Sequence, residues 1–169
     1  MPSIPIATLS SLLSLVIPSL SNTGDPPHDK HVSSPPVTNF LQSIGQMTST
    51  ANIASNLAQA QLLIRKAVAA KASALFLPEA ADYIGSSPEE SLSLVRSVQD
   101  SEFVQGVRKS AKEAKLCVSV GVHEPVEGGK KTKNCLLWID AEGEITQRYQ
   151  KLHLFDIDIK GGTTMKEST

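Results

Sequence analysis

Two ionisable side chains stand out in this sequence because each lies at the end of a strand-like run. Glu79 follows the run 74–78, and Lys151 ends the run 145–151. A glutamate can act as a general base, and a lysine ammonium can stabilise the negative charge that develops on a carbonyl oxygen. Each residue alone is more simply explained as a solvated charge at a strand end. Their chemistry therefore depends on whether the fold brings them together.

The other residues that could carry chemistry show weaker patterns. Cys117 and Cys135 lie inside apolar strands, where a free cysteine is usually a small buried hydrophobic residue and not a nucleophile. The residues of metal-ligand type are His123, Glu124, His153 and Asp156. They show neither the His-Glu-x-x-His nor the Cys-x-x-Cys spacing of common metal sites. We therefore predict no metal site.

Hydrophobic periodicity predicts three helices that must support these side chains. Apolar residues at helical spacing mark two of them, over about 52–70 and 103–114. Between these, the stretch 87–90 combines a capping serine, a proline suited to the first helical position and the glutamate of a capping box. The residues that this middle helix should turn inward are Leu92, Val95 and Val98.

Alternating or short continuous apolar runs predict the strands. They fall at 40–47, 74–77, 116–122, 135–140 and 145–151. A turn at 141–144 joins the last two strands into a hairpin. Alternating strands and helices followed by a hairpin predict an α/β layered fold with a mixed sheet. Catalytic groups in such folds tend to lie at the carboxyl ends of strands, which is where Glu79 and Lys151 fall.

The composition excludes several classes of function. The chain has 169 residues, of which 40% are hydrophobic and 20% charged, as expected for one globular domain. A formal net charge of −1 argues against a nucleic-acid surface, which needs a clustered excess of Lys and Arg. A nucleotide-binding domain would need a Gly-rich phosphate loop, and the pairs 128–129 and 161–162 do not form one.

The first 39 residues differ in kind from the rest. They are rich in Ser and Pro, and the apolar run 4–20 is broken too often to span a bilayer, so no membrane partner is expected. We interpret residues 1–39 as a disordered or leader-like extension and residues 40–169 as the folded domain. Few cysteines favour a reducing, cytoplasmic location, with a mitochondrial leader as the alternative.

Four spaced motifs resemble the nitrilase, or carbon–nitrogen hydrolase, superfamily in their order and rough spacing. They are Ile44-Gly45-Gln46-Met47, Phe76-Leu77-Pro78-Glu79, Val120-Gly121-Val122-His123-Glu124 and the stretch 149–158. The last stretch resembles the Nit branch, which includes deaminated glutathione amidase and ω-amidase, and residues 81–91 resemble the first of these more. The resemblance covers about 41–169, and several spaced motifs are more specific than any one of them.

The resemblance implies both a fold and a set of site residues. The family fold is an α-β-β-α sandwich, of which this chain would be the amino-terminal portion, incomplete at its carboxyl end. By motif position, Glu79 would be the general base, Lys151 the oxyanion stabiliser and Glu167 a second glutamate that orients the lysine. The family's nucleophilic cysteine comes later, beyond Thr169, and Cys117 and Cys135 do not match it.

The implied activity is hydrolysis of non-peptide amide bonds through a cysteine thioester, on small carboxylate-bearing amides such as deaminated glutathione. The resemblance implies no metal or organic cofactor, and complete members form homo-oligomers. Because the nucleophile is absent, we expect negligible turnover from the 169-residue chain alone. The alternative is a non-catalytic, truncated interaction protein that pairs with a full-length relative.

Overall fold

The computed structural model describes residues 40–128, 131–154, 156–158 and 160, together with two isolated strands at 15–17 and 164–166. The elements are β1 (Leu15–Ile17), β2 (Gln42–Ile44), α1 (Ile53–Ala69), β3 (Ala74–Phe76), α2 (Pro88–Leu94), α3 (Glu102–Ala114), β4 (Cys117–Pro125), β5 (Thr132–Ile139), β6 (Ile145–Gln150), β7 (Asp156–Asp158) and β8 (Thr164–Lys166). Strands and helices alternate first and a hairpin follows, as the sequence predicts.

One mixed sheet organises the chain. Its strand order is β1-β2-β3-β4-β5-β6, while β7 and β8 form a separate antiparallel pair. The strands β2, β3 and β4 run parallel, and β1, β5 and β6 pair antiparallel with their neighbours. The parallel steps pass through helices, which is how parallel neighbours are normally connected. The predicted α/β class with a mixed sheet is confirmed.

Two amphipathic helices cover one face of this sheet. Asn52 caps α1 by accepting a hydrogen bond from the Ser55 amide, and Ser101 caps α3 in the same way. Their buried residues are Asn56, Ala60, Leu63, Ile64 and Ala67 on α1, and Phe103, Val104, Val107 and Ala111 on α3. They pack with the alternate residues of β4 and β5 that face the same way, so the core lies between this helix layer and the sheet.

The middle helix begins as predicted but ends early. Ser87 caps α2 through the Glu90 amide, and the Glu90 carboxylate accepts from the Ser86 amide and hydroxyl, which lowers the Glu90 pKa. The prediction of an inward helical face was wrong. No α2 residue is buried, and the helix ends at Leu94 because the backbone becomes extended at Val95 (φ −59°, ψ 136°). Val98 is buried, but from the loop beyond the helix.

The opposite face of the sheet carries apolar side chains that no helix covers in the described part of the chain. The rings of Phe76 on β3 and Trp138 on β5 contact each other at a tilt of 55°, with their centroids 5.8 Å apart. Around them, Ile44, Leu136 and Tyr149 are exposed on β2, β5 and β6. We call this surface the open face.

Most of residues 1–39 lies outside the described residues. The exception is β1, which pairs antiparallel with β2. The prediction that this region is a disordered or leader-like extension therefore stays a prediction. Among the described residues, no helix combines the length and the apolar character needed to cross a bilayer.

Candidate active site

Glu79 is held at the end of β3 by backbone pairing that continues beyond the strand. The Leu77 amide donates to Ser119 O, the Gly121 amide donates to Pro78 O, and the Ala81 amide donates to Gly121 O. The segment 77–81 therefore runs on beside β4. Ala80 turns the chain through a left-handed conformation with φ 52°, which costs about 1 kcal/mol for a residue with a Cβ atom.

Gly121 allows this close approach of two backbones. A Cβ atom added at Gly121 would lie 2.5 Å from Glu79 Cα and 2.9 Å from Pro78 O. No side chain fits in that space, so glycine is required here for packing and not for its conformational freedom. Gly121, from the motif at 120–124, therefore lets Glu79, from the motif at 76–79, take its position beside β4.

Lys151 reaches the same place from the far end of the hairpin. It follows β6, and its amide donates to Asn134 O over 2.9 Å, which extends the β5–β6 pairing by one step. Its ammonium nitrogen Nζ lies 3.0 Å from Glu79 Oε1. Two residues that are 72 positions apart in sequence are therefore brought into direct contact.

Asn134 is a third member of this group, and the sequence analysis did not identify it. Its side-chain Nδ2 donates to Glu79 Oε1 over 2.8 Å. The available signal was the hairpin: once 145–151 folds back on 135–140, the residue before the first strand lies opposite Lys151. Reading that register on to Asn134 would have placed an amide beside the two candidate residues.

The Glu79–Lys151 pair contributes little to stability. The Glu79 side chain is 59% exposed and that of Lys151 is 26% exposed. Ion pairs as open as this one typically contribute about 0–1 kcal/mol, because water screens both charges. The carboxylate, ammonium and amide converge from β3, β6 and β5 of one sheet, and this convergence is better explained by what the group can bind than by stability.

A buried cluster fixes the chain that follows Glu79. The Tyr83 amide donates to Asp82 Oδ1 over 2.9 Å, and the His123 amide donates to Asp82 Oδ2 over 2.8 Å. The His123 ring atom Nδ1 lies 2.9 Å from Asp82 Oδ1. The Tyr83 and His123 rings stack at 4.5 Å. Burial raises the pKa of the Tyr83 hydroxyl well above its usual value, and the nearby Asp82 charge acts in the same direction.

This cluster also ties the loop to the helix layer. The Asn56 side chain on α1 donates to Asp82 O over 2.9 Å and to Thr50 O over 2.7 Å. His123 pairs across the sheet with Asn134 on β5. The residues that flank Glu79 and Asn134 are therefore anchored to α1 and to the middle of the sheet, which restrains the group of Glu79, Lys151 and Asn134.

Neither described cysteine is placed to act with Glu79. Cys135 is buried, and since strand neighbours alternate, it faces the helix side of the sheet while Asn134 faces the open face. Burial raises the pKa of the Cys135 thiol, and the nearby Glu124 charge adds to the effect. Cys117 pairs with Ala74 at the opposite end of β3 and β4, about 13 Å along β4 from Gly121.

Two further predictions concern residues or ligands that the described chain does not test. Glu167, predicted to orient the lysine, lies outside the described residues. Within the described residues, no group of three His, Cys, Asp or Glu side chains is arranged to hold a metal ion. The predicted absence of a metal or organic cofactor remains a prediction.

An apolar groove lies beside β2 and β3. Its volume is about 550 Å³, and it lies between the carboxyl ends of β2 and β3. The lining residues are Gln42, Ile44, Gly45, Gln46, Phe76, Leu77 and Pro78. Pro78 immediately precedes Glu79 in the chain, but Glu79 itself is not one of the lining residues.

Comparison with known proteins gives consistent matches over the folded part of the chain. The Carbon-nitrogen hydrolase family profile matches residues 43–169. The probable hydrolase nit2 of Schizosaccharomyces pombe is 40% identical over 129 residues, which are 76% of this chain and 47% of that protein. The deaminated glutathione amidase of Rattus norvegicus is 32% identical over 132 residues, which are 76% of this chain and 40% of that protein. The chain thus spans less than half the length of these relatives.

Solved structures agree on the fold. The crystal structure of the Caenorhabditis elegans NitFhit protein superimposes with a TM-score of 0.68 and 31% identity, covering 75% of this chain and 31% of that chain. An amidase from Nesterenkonia sp. superimposes with a TM-score of 0.59 and 22% identity, covering 68% of this chain and 43% of that chain, which shows a shared fold. The chain belongs to the carbon–nitrogen hydrolase, or nitrilase, superfamily and to its Nit branch.

Proposed function

We propose that this chain provides the general base and the oxyanion-stabilising ammonium for hydrolysis of amide bonds in small carboxylate-bearing molecules. The observation that carries the proposal is the 3.0 Å contact between Lys151 Nζ and Glu79 Oε1. A carboxylate and an ammonium at this distance can act together on one small reacting group.

The chemistry proceeds in two halves through a cysteine thioester. Glu79 takes the thiol proton, and the thiolate sulfur bonds to the amide carbon while the carbonyl electrons move onto oxygen. Lys151 stabilises that oxyanion. When the carbon–nitrogen bond breaks and the carbonyl re-forms, Glu79 returns the proton to the leaving nitrogen, which departs as ammonia from a primary amide or as a free amine from a substituted amide such as deaminated glutathione. Water then attacks the thioester, gives a proton through Glu79 to the departing sulfur, and releases the carboxylic acid.

The nucleophile in this scheme is neither of the two cysteines in the sequence. Cys135 faces the helix side and has a raised pKa, while Cys117 lies at the wrong end of β4. A thiol that lies out of reach of Glu79 cannot attack an amide held beside it. We therefore propose that the 169-residue chain alone has negligible amidase activity. The proposed role of Glu167 is to orient Lys151.

The proposed substrate class rests on the relatives. Deaminated glutathione amidases from several animals match over about three quarters of this chain at 32–33% identity. Deaminated glutathione is a small amide that carries carboxylate groups. An α-keto-acid amide is a second candidate substrate of the same class. Comparing the turnover of the two substrates distinguishes a deaminated glutathione amidase from an ω-amidase, the two Nit-branch activities that the sequence resembles.

The test uses an extended chain, in which residues 1–169 are followed by the part of the S. pombe relative that lies beyond its matched residues. For the extended chain and for the 169-residue chain, hydrolysis of deaminated glutathione is measured as release of its amine product, cysteinylglycine, and hydrolysis of a primary α-keto-acid amide as release of ammonia. We expect turnover only in the extended chain. Glu79→Gln should abolish it, and Lys151→Met should lower kcat by about 100- to 1,000-fold, as for loss of an oxyanion donor.

A matched control comes from a second exposed lysine–glutamate pair. Lys109 and Glu113 form an ion pair on the outer surface of α3, with an N–O distance of 3.9 Å. Lys109→Met and Glu113→Gln make the same chemical changes away from the site and should leave kcat unchanged. Full turnover in Glu79→Gln would refute the proposed base. Glu79-dependent hydrolysis by the 169-residue chain would refute its proposed inactivity.

The open face supports a second candidate, a non-catalytic protein that pairs with a full-length relative. Exposed Ile44, Leu136 and Tyr149 surround the Phe76–Trp138 ring pair, and apolar surface of this kind often marks a contact site. Co-expression with the S. pombe relative, followed by size-exclusion chromatography, tests it. A stable mixed complex from which Glu79→Gln removes no activity would favour this candidate over the enzyme.

A further inference from the structure

We propose that Asn134 is a positioning residue for Glu79, and that it selects Oε2 of the carboxylate as the oxygen that accepts the nucleophile's proton. The proposal rests on the proposed role of Glu79 as general base. Asn134 does not touch the reacting atoms in this scheme. It acts by fixing which way the Glu79 carboxylate is turned.

The two hydrogen bonds to Glu79 end on the same atom. Asn134 Nδ2 lies 2.8 Å from Oε1, and Lys151 Nζ lies 3.0 Å from Oε1. No described residue donates a hydrogen bond to Oε2. Two donors on one oxygen hold the carboxylate plane and leave the lone pairs of the other oxygen available, which is what a general base requires.

Asn134 is well suited to this task because of where it lies. It belongs to β5, which pairs with β4 on one side and β6 on the other, so its backbone is restrained from both edges. Its carbonyl oxygen accepts the Lys151 amide over 2.9 Å while its side chain holds Glu79. One residue therefore sets the position of both the carboxylate and the ammonium.

The neutral amide also has an electrostatic role that a charged residue could not fill. It donates a hydrogen bond without adding a second positive charge, so Lys151 remains the one cation that contacts Glu79 among the described residues. Replacing the amide by a carboxylate of the same shape would remove the donor and bring a like charge close to Glu79. Shape and chemistry can therefore be separated experimentally.

The test compares Asn134→Ala with Asn134→Asp in the extended chain. We expect kcat to fall about 10- to 100-fold in Asn134→Ala, the usual effect of losing a hydrogen bond to a charged group, with KM changed less than about 2-fold. Asn134→Asp should fall further, although aspartate matches asparagine in shape. A purely structural role predicts the opposite order, because the isosteric change would be the milder one.

Gln147 provides the matched control. It lies exposed on β6 opposite Trp138, four residues from Asn134 on β5 or about 13 Å. Gln147→Glu makes the same amide-to-carboxylate change and should leave kcat and KM as in the parent. If Glu79→Gln abolishes turnover while both Asn134 variants keep parental kcat, this inference is wrong and the proposed function stands. If Glu79→Gln keeps turnover, the proposed function itself fails.

A second measurement needs no turnover and no change at Asn134. In the 169-residue chain labelled with nitrogen-15, the side-chain amide resonances of Asn134 and Gln147 are compared between the parent and Glu79→Ala. Loss of the carboxylate should shift the Asn134 resonances and leave those of Gln147 in place. Unchanged Asn134 resonances would show that the hydrogen bond does not exist in solution and would overturn the inference.

Discussion

The close contact between Gly121 and the Glu79 backbone fixes where Glu79 lies. Replacing Gly121 with alanine should therefore displace Glu79, the proposed base, without replacing any ionisable residue. The added Cβ would lie 2.5 Å from Glu79 Cα, whereas ordinary contacts begin at 3.4 Å. The backbone at 78–79 must therefore shift by about 0.9 Å, because neither neighbour is a side chain that could rotate away. A misplacement of about 1 Å can cost on the order of 100-fold in rate.

The same change should also destabilise the fold. Overpacking of a tightly packed interior typically costs about 1–3 kcal/mol. We expect Gly121→Ala to lower the free energy of unfolding of the 169-residue chain by this amount in urea. In the extended chain we expect kcat to fall about 100-fold, measured as ammonia release from the primary α-keto-acid amide.

Gly106 on α3 provides a control that separates these two effects. A Cβ at Gly106 would meet the Leu57 side-chain tip, also at 2.5 Å, but this tip can rotate and lies in the helix layer. Gly106→Ala should therefore alter stability while leaving kcat unchanged. Parental kcat and parental stability in Gly121→Ala would refute the reasoning, since the contact that sets Glu79 would then be unimportant.

Two further changes test the surroundings of the site. Asp82→Ala removes the carboxylate that contacts the Tyr83 amide, the His123 amide and the His123 ring. We therefore expect the free energy of unfolding, measured in urea, to fall by about 3 kcal/mol or more. Asp82→Asn keeps one acceptor oxygen and should lose less stability, and equal stability of the parent and both variants would contradict this reasoning. Leu136→Lys places a charge on the open face, so we expect it to weaken any mixed complex with the full-length S. pombe relative in size-exclusion chromatography; an unchanged complex would count against the open face as the contact surface.

Much of the fold could be predicted from local patterns. Helical spacing located α1 and α3, alternation located β4, and the turn at 141–144 located the β5–β6 hairpin, since each signal depends on residues close in sequence. The end of α2 could not be read in the same way. The apolar residues keep helical spacing beyond Leu94, but the backbone leaves the helix there. Val98 is buried from the loop that leads to Ser101, the capping residue of α3.

The candidate site shows the same division. The sequence alone determined that Glu79 and Lys151 lie at strand ends, and the spaced motifs identified the superfamily that the comparisons show. Only the tertiary structure decided that the two headgroups lie 3.0 Å apart and that Asn134 joins them. These contacts depend on the order and register of strands paired across many residues, and no local pattern of hydrophobicity encodes such pairing.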